Sequence, residues 1–344
     1  MKPLEFRFLN QEDVKRCGGD DIELFINTME DVMSLHDNNE YVLPNKTILR
    51  WGGLDSETSK GRINSMPAYI GGKYDSCGIK WISSAPMNPI EKNLPRASGV
   101  IILNDSDTLL PYAIMDGTLI SAMRTGAISG VVAKYLAKEN SKVLGLVGAG
   151  VQNRTQLIAL RAALNDLEVI KIYDIDLKRA ESFAKDLEQQ IGMEIKVVDS
   201  AEQAVRNSDI FVTATVTEKP IIKKEWIEDG ALYIHVGSHE CEFDVITCSN
   251  KIVVDDWEEL KHRGVETISI MYKNGLIKDE NIYAHLGEII NGKKKGRENN
   301  REKIYFNSVG MGIEDVAIAK LIYQRATEGD IGQKLFMWQE PTFV

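Results

Sequence analysis

The fold is decided by one stretch, Val143-Leu-Gly145-Leu-Val-Gly148-Ala-Gly150-Val-Gln152-Asn153. Its apolar first five residues predict a buried strand, and a helical pattern follows the glycine turn. Gly148 permits the tight turn, and Gly150 lets backbone N–H groups approach a pyrophosphate at the start of the helix. Strand, turn and helix together predict a dinucleotide site, although Asn153 stands where glycine or alanine is usual.

An acidic residue, Asp174, ends the next predicted strand, 24 residues after Gly150. A carboxylate there accepts hydrogen bonds from the ribose hydroxyls of adenosine and repels a 2′-phosphate. We therefore expect NAD rather than NADP, a preference that the nearby Lys178 and Arg179 moderate. The alternative is a glycine turn that binds nothing, but the order of strand, turn, helix, strand and terminal Asp favours the dinucleotide site.

Strands and helices alternate through the rest of the second half of the chain. Continuous apolar strands between helices are typical of a parallel sheet that is covered on both faces. A final helix is expected to pack back on the first half. The predicted strands are 169–173, 195–198, 209–214, 231–236, 251–255 and 303–309, and the predicted helices are 155–164, 177–190 and 313–326.

The first half of the chain has a different pattern. Short apolar runs rich in β-branched and aromatic residues predict an antiparallel or mixed sheet between two helices. The predicted strands are 63–70, 77–82, 99–104 and 112–115, and the helices are 20–36 and 118–138. The fold class is therefore α/β, a Rossmann domain plus an α+β domain.

Composition excludes several classes of protein. The 344 residues are 43% hydrophobic and 27% charged, with a formal net charge of −10, which argues against global disorder and against a basic nucleic-acid surface. No apolar run is long enough for a transmembrane helix, and residues 1–10 do not resemble a signal peptide. Four cysteines without a Cys-x-x-Cys pair indicate reduced thiols in a cytoplasmic protein.

Four segments in this order resemble the ornithine cyclodeaminase/mu-crystallin family. They are Gly78-Ile-Lys80-Trp81, Met123-Arg124-Thr125, the Gly148–Gln152 turn and Ser308-Val-Gly-Met-Gly-Ile-Glu-Asp315. The runs 96–105 and 254–257 are similar to one branch of it. That branch oxidises N-(2-amino-2-carboxyethyl)-L-glutamate to supply L-2,3-diaminopropionate for siderophore biosynthesis.

The resemblance implies a homodimer and two domains with different functions. Residues 1–128 and 313–344 would form the substrate-binding and dimerisation domain, and 129–312 the NAD-binding Rossmann domain. Substrate would contact Lys80, Arg124, Val309 and, with a weaker alignment, Arg50. Beside Gly148 and Gly150, the dinucleotide would contact Thr125, Val151, Gln152, Asp174, Thr215, Val236, Gly237 and Ser308.

The chemistry of two basic residues supports a functional role for each, independently of the resemblance. Arg124 offers a planar fork that matches a carboxylate. Lys80 lies in an apolar strand pattern, so burial would lower its pKa and favour proton transfer. The alternatives are an edge-strand lysine that points to water and an arginine on a helix surface.

One departure from the family concerns the loop after the fifth Rossmann strand. Ornithine cyclodeaminases carry a catalytic Asp there, and His239 falls at that position. This argues against cyclodeamination and leaves His239 or Glu240 as candidate general bases, unless they only cap the strand end. His235, His239 and Cys241 are too few and too poorly spaced to predict a metal site.

The sequence therefore predicts NAD-dependent oxidation of a secondary amine that joins two amino-acid skeletons. Hydrolysis of the resulting imine, assisted by Lys80 or Glu240, would give 2-oxoglutarate and L-2,3-diaminopropionate. The alternatives are an ornithine cyclodeaminase, a ketimine reductase or an alanine dehydrogenase. A further one is a non-catalytic protein of the mu-crystallin kind that binds a dinucleotide and a small ligand.

Overall fold

The computed structural model describes residues 3–52 and 59–342. The chain divides into two compact units, Met1–Arg124 with Met311–Val344 (unit 1) and Thr125–Gly310 (unit 2). The strands are β1 Leu4–Leu9, β2 Tyr41–Val42, β3 Thr47–Gly52, β4 Ser59–Ile70, β5 Ser76–Ser84, β6 Ala97–Asn104, β7 Pro111–Asp116, β8 Val143–Val147, β9 Val169–Tyr173, β10 Ile195–Val197, β11 Ile210–Thr213, β12 Leu232–His235, β13 Lys251–Val254, β14 Ala284–His285, β15 Ile304–Asn307 and β16 Gln333–Trp338. The helices are α1 Gln11–Val14, α2 Ile22–Asp37, α3 Thr118–Leu136, α4 Val151–Ala163, α5 Leu177–Ile191, α6 Ala201–Val205, α7 Phe243–Thr247, α8 Trp257–Leu260, α9 Thr267–Lys273, α10 Leu286–Ile290 and α11 Gly312–Glu328.

Unit 1 is built on a mixed sheet, in the order β16-β1-β7-β6-β5-β4-β2, with β3 also paired to β4. Only the β1–β7 pair is parallel among these described strands. The mixed sheet was expected, but β1, β2, β3 and β16 were not, although β16 contains the apolar run Leu335–Trp338. The closing helix α11 packs against β4, β5, β6 and α2, as predicted for it.

Unit 2 is built on a parallel sheet in the order β10-β9-β8-β11-β12-β15-β13-β14. Counted from β8, the first five strands have the order 3-2-1-4-5 of a Rossmann sheet, which confirms the predicted fold class. Thr213, His235 and Asn307 lie side by side at the carboxyl ends of β11, β12 and β15. Ligands of such sheets bind beyond these ends, so the polar row lies at the functional edge.

Across the described ranges, no helix combines the length and the apolar character that crossing a membrane requires. The same residues include no group of three or more His, Cys, Asp or Glu side chains arranged to hold a metal ion.

Candidate functional site

The glycine turn after β8 has the geometry that the sequence predicts. Gly148 has φ +99°, and a Cβ there would lie 2.8 Å from the carbonyl oxygen of Ala214. Gly150 is the N-cap of α4, and a Cβ there would meet nothing within 4 Å. No side chain caps the start of α4, so its N-terminal N–H groups are available to a phosphate. The helix begins at Val151, four residues before the predicted start.

Asn153 explains why the third glycine of the fingerprint is dispensable here. Its side chain is fully buried. Its Nδ2 donates to the carbonyl oxygens of Val147 at 2.9 Å and Gly148 at 2.5 Å. The amide therefore fastens α4 to the end of β8, where a small residue normally achieves the same closeness by packing alone.

Asp174 lies at the carboxyl end of β9, next to the turn. Its Oδ2 accepts a 2.7 Å hydrogen bond from the N–H of Ala149, and its Oδ1 accepts one of 2.9 Å from the N–H of Asp176. A carboxylate has about four lone-pair positions, so it can still accept hydrogen bonds from ribose hydroxyls. Gln152 adds a buried Oε1 that has no hydrogen-bond partner among the described residues. The open helix start, the carboxylate and this unsatisfied acceptor fit a dinucleotide.

Glu240 is fully buried beneath the loops that follow β11 and β12. Its Oε1 accepts hydrogen bonds of 2.6 Å from the N–H and the hydroxyl of Thr215. Its Oε2 accepts from the hydroxyl of Thr213 at 2.6 Å and from the N–H of Gly237 at 2.9 Å. Both oxygens are therefore committed to holding the two loops in place.

The electrostatics of Glu240 also favour a permanent anion. Burial raises its pKa, but the neighbouring His235 and the Thr213 and Thr215 hydroxyls outweigh burial, so the pKa lies below its ordinary value. The Nε2 of His235 lies 3.3 Å from Glu240 Oε2, and its Nδ1 lies 2.7 Å from the hydroxyl of Tyr305. A carboxylate with these partners has little affinity for a further proton.

His239 is half-buried on the same loop. Its Nδ1 lies 3.2 Å from the hydroxyl of Thr267 at the start of α9, and its ring lies against Phe243. Burial and the nearby His235 lower the pKa of His239. The imidazole is therefore neutral at neutral pH, unlike the charged Asp that ornithine cyclodeaminases have at this position.

Sequence reasoning missed the role of Asp255, which follows β13 and is fully buried. It accepts hydrogen bonds from the hydroxyl of Ser308 at 2.7 Å and from the N–H groups of Val309 and Gly310 at 2.8–2.9 Å. An acidic residue directly after an apolar strand was the available signal. Asp255 thus holds the segment to which the resemblance assigns substrate and dinucleotide contacts.

In unit 1, Lys80 and Arg124 are both buried, with 1% and 7% of their surface exposed. Lys80 Nζ donates to Asp315 Oδ2 at 2.5 Å and to Ser121 Oγ at 3.3 Å. Arg124 Nη1 donates to Glu314 Oε2 at 2.7 Å. The alternatives of an edge-strand lysine and a helix-surface arginine are therefore wrong, because β5 is an interior strand and both bases are buried against carboxylates of α11.

Burial is the main reason that the pKa of Lys80 falls to about 8, and the positive charge of Arg124 adds to the effect. The opposing influence of Asp315 is weaker. Such an amine accepts and returns protons near neutral pH, which suits a general base. Arg50, by contrast, is exposed on β3, and within the described ranges no hydrogen bond or ion pair joins it to Lys80 or Arg124.

Comparison with known proteins gives the same family that the four segments resemble. The profile of the ornithine cyclodeaminase/mu-crystallin family matches residues 47–330. The N-((2S)-2-amino-2-carboxyethyl)-L-glutamate dehydrogenase of Staphylococcus aureus is 35% identical over 336 residues, covering 97% of this chain and 99% of the relative.

Two solved structures are similar over nearly their whole length. One is the Δ1-pyrroline-2-carboxylate reductase of Thermococcus litoralis in complex with NADH and L-proline, with a TM-score of 0.88 and 37% identity over 96% of this chain and all of that one. The other is an archaeal alanine dehydrogenase dimer with bound NAD, with a TM-score of 0.88 and 35% identity over 97% of this chain and all of that one. Since these identities barely differ, identity does not select a substrate.

Proposed function

This chain belongs to the ornithine cyclodeaminase/mu-crystallin family, and from that premise we propose that it is an NAD-dependent dehydrogenase of N-(2-amino-2-carboxyethyl)-L-glutamate. Its products would be 2-oxoglutarate and L-2,3-diaminopropionate, a building block for a siderophore or a related natural product. The observation that carries the proposal is the buried Lys80. Its pKa of about 8 lets the amine accept and return the protons that imine hydrolysis transfers. The runs 96–105 and 254–257, which resemble that branch of the family, support the choice of substrate.

NAD is assigned to unit 2. Its pyrophosphate would bind at Gly148, Gly150 and the start of α4, and its adenosine ribose would donate hydrogen bonds to Asp174. The remaining assigned contacts are Thr125, Val151, Gln152, Thr215, Val236, Gly237 and Ser308. When bound, NAD would supply the hydride acceptor for oxidation at the glutamate Cα of the substrate.

The substrate's carboxylate and its proton transfers are assigned to unit 1. The family resemblance adds Val309 as an expected substrate contact. Arg124 would hold the carboxylate through its planar guanidinium. Neutral Lys80 would accept a proton from the water that attacks the imine carbon. Lys80 would pass this proton to the nitrogen. It would then accept the proton of the new hydroxyl as the C=O bond forms and the C–N bond breaks, and return that proton to the departing amine, which leaves Lys80 neutral again.

Glu240 and His239 receive other roles in this proposal. Glu240 already accepts four hydrogen bonds and has a lowered pKa, so we assign it the positioning of the Thr215 and Gly237 loops rather than proton transfer. A neutral His239 lacks the charge of the cyclodeaminase Asp. Both assignments favour dehydrogenation over cyclodeamination.

A homodimer is supported by the outer face of the unit 1 sheet. Trp81 follows the buried Lys80 and is 45% exposed, because neighbouring strand residues point to opposite faces. Val100, its cross-strand partner on β6, is 38% exposed, and Leu49 on β3 is 54% exposed. Contiguous apolar residues of this kind mark a surface for association. We assign this face to a second copy of the chain, as the archaeal alanine dehydrogenase is a dimer.

The decisive experiment supplies the purified protein with NAD and N-(2-amino-2-carboxyethyl)-L-glutamate. NADH, 2-oxoglutarate and 2,3-diaminopropionate should form in equal amounts, because each hydride transfer yields one imine and each imine splits once. L-alanine with NAD, and Δ1-pyrroline-2-carboxylate with NADH, serve as comparison substrates. Faster turnover of either would contradict the proposed substrate, and tight NADH binding without any turnover would indicate a mu-crystallin-like binding protein.

A further inference from the structure

The first turn of α11 places two consecutive carboxylates against two bases from other elements of unit 1. Asp315 Oδ2 lies 2.5 Å from Lys80 Nζ of β5, and Glu314 Oε2 lies 2.7 Å from Arg124 Nη1 of α3. None of the four side chains is more than 9% exposed. We call these four residues the buried tetrad. Its formal charges cancel when all four groups are ionised.

Close packing of the backbone fixes the position of this turn. A Cβ on Gly312 would lie 2.9 Å from the carbonyl oxygen of Met66 on β4. Met66 lies directly opposite Lys80 in the β4–β5 pair. The N–H of Met311 donates to Glu314 Oε1 at 3.0 Å, which orients that carboxylate. The two acidic residues are therefore held beside the strand that carries Lys80.

A purely structural reading would treat Glu314 and Asp315 as ordinary acidic residues at a helix N-terminus. There they would stabilise the helix through its dipole. Acidic residues at the protein surface gain this stabilisation at little cost, whereas both carboxylates here are fully buried. Burying an ion costs several kcal/mol unless a partner compensates. The two bases are the partners that compensate the burial of these carboxylates, and the helix dipole alone does not explain why they are buried.

We propose that Asp315 is a positioning residue that holds the amine of Lys80 in place and sets how readily it releases a proton, while Glu314 orients the guanidinium of Arg124. This rests on the proton-transfer role that the proposed function gives to Lys80. Neither acidic residue needs to touch the substrate for this task.

The groups that face Lys80 come from two helices. From α3, Arg124 opposes its charge and the hydroxyl of Ser121 accepts its hydrogen bond. From α11, Asp315 and Glu314 favour its charge. With Asp315 replaced by a neutral residue, burial and Arg124 would act against the charge with only Glu314 to oppose them. The pKa of Lys80 would then fall further below about 8.

The test measures Lys80 directly, in intact protein carrying ¹³C-labelled lysine, with its resonance assigned by the Lys80→Met variant. In Asp315→Asn the pKa of Lys80 should fall by about one unit or more, which is about tenfold in proton affinity. Glu328→Gln, an exposed change at the other end of α11, is the matched control and should leave the titration unchanged. An unchanged titration in Asp315→Asn would overturn the proposal.

Kinetics supply the second readout. The rising limb of kcat/KM with pH should move to lower pH in Asp315→Asn. The substrate's own amine also titrates in this limb, but its contribution is the same in the variant and the wild type because both use the same substrate. Glu314→Gln should instead raise KM at least about fivefold, through the weaker hold on Arg124. An equal loss of activity at every pH would reduce Asp315 to a structural residue. If Asp315→Asn does not fold, Asp315→Glu should keep the limb near its wild-type position while it lowers kcat, and a limb that moves to lower pH would refute the proposal.

The two proposals can fail separately. The lysine titration requires no substrate, so it still tests Asp315 if the protein does not oxidise N-(2-amino-2-carboxyethyl)-L-glutamate. Conversely, turnover of that amine with an unmoved titration would retain the proposed function and discard the role of Asp315.

Discussion

Asp174 Oδ2 accepts a 2.7 Å hydrogen bond from the backbone N–H of Ala149. The acidic residue that would select NAD is therefore also a support of the glycine turn. A change at Asp174 should affect both the ribose contact and the geometry of the pyrophosphate loop.

Replacing Asp174 should narrow the preference for NAD over NADP. In Asp174→Ala we expect KM for NAD to rise about tenfold, because hydrogen bonds to a charged group are lost. Asp174→Asn keeps an acceptor for the Ala149 N–H and should separate the two roles, with a smaller rise in KM. Steady-state kinetics with both cofactors measure this. A wild-type protein that uses NADP better would refute our interpretation of Asp174.

Arg124→Ala should lower kcat/KM for the amine at least about tenfold, since a hydrogen bond to a charged group is worth about 1.5–3 kcal/mol. The dissociation constant for NADH, measured by fluorescence, should change less than about twofold. Arg124→Lys keeps the charge but loses the planar fork and should recover only part of the activity. Lost NADH binding with unchanged amine kinetics would instead assign Arg124 to the cofactor.

Glu240→Gln should weaken NADH binding and cost about 2 kcal/mol of unfolding free energy, because a charged acceptor of four hydrogen bonds is lost. The pKa of Glu240 is lowered on folding, so its ionisation stabilises the protein above the ordinary value of 4.5, and this is lost as pH falls through the lowered pKa. Denaturation across acidic pH should show a shallower decline in the variant. The exposed Glu218→Gln is the control. A shifted limb of kcat/KM near neutral pH would make Glu240 the base after all.

L-ornithine should yield no appreciable proline or ammonia. Cyclodeamination needs an acid/base group that manages both the departing amine and ring closure, and His239 occupies the position of the family's Asp. Amino-acid analysis after incubation with NAD checks this. Proline formation at a rate equal to amine oxidation would restore the cyclodeaminase assignment.

Trp81→Asp should convert the proposed dimer to a monomer, because a charge on the apolar outer face of the unit 1 sheet would be buried on association. Sedimentation equilibrium measures the change. Ile175→Asp, at a side chain that is 93% exposed in unit 2, should leave the mass unchanged. A wild-type protein that sediments as a monomer would remove the basis for this surface assignment.

The sequence by itself determined the Rossmann half of the fold and the dinucleotide turn. Both depend on features that are local in the chain: a five-residue apolar strand, glycines at 148 and 150, and an acidic residue at the next strand end. Strand β8 and strand β9 have the bounds that the apolar runs predict. Strands β1, β2, β3, β14 and β16 escaped prediction, because their stability comes from the neighbours with which they pair.

Only the tertiary structure decided which charged residues are buried and which groups they contact. The spacing around Lys80 cannot tell an edge strand from an interior one, and its partner Asp315 is 235 residues away. The same holds for Asp255, which accepts a hydrogen bond from the N–H of Val309, 54 residues later in the chain. A side chain's pKa depends on its burial and on the charges around it. Those are set when distant segments pack together, so no local pattern in the sequence records them.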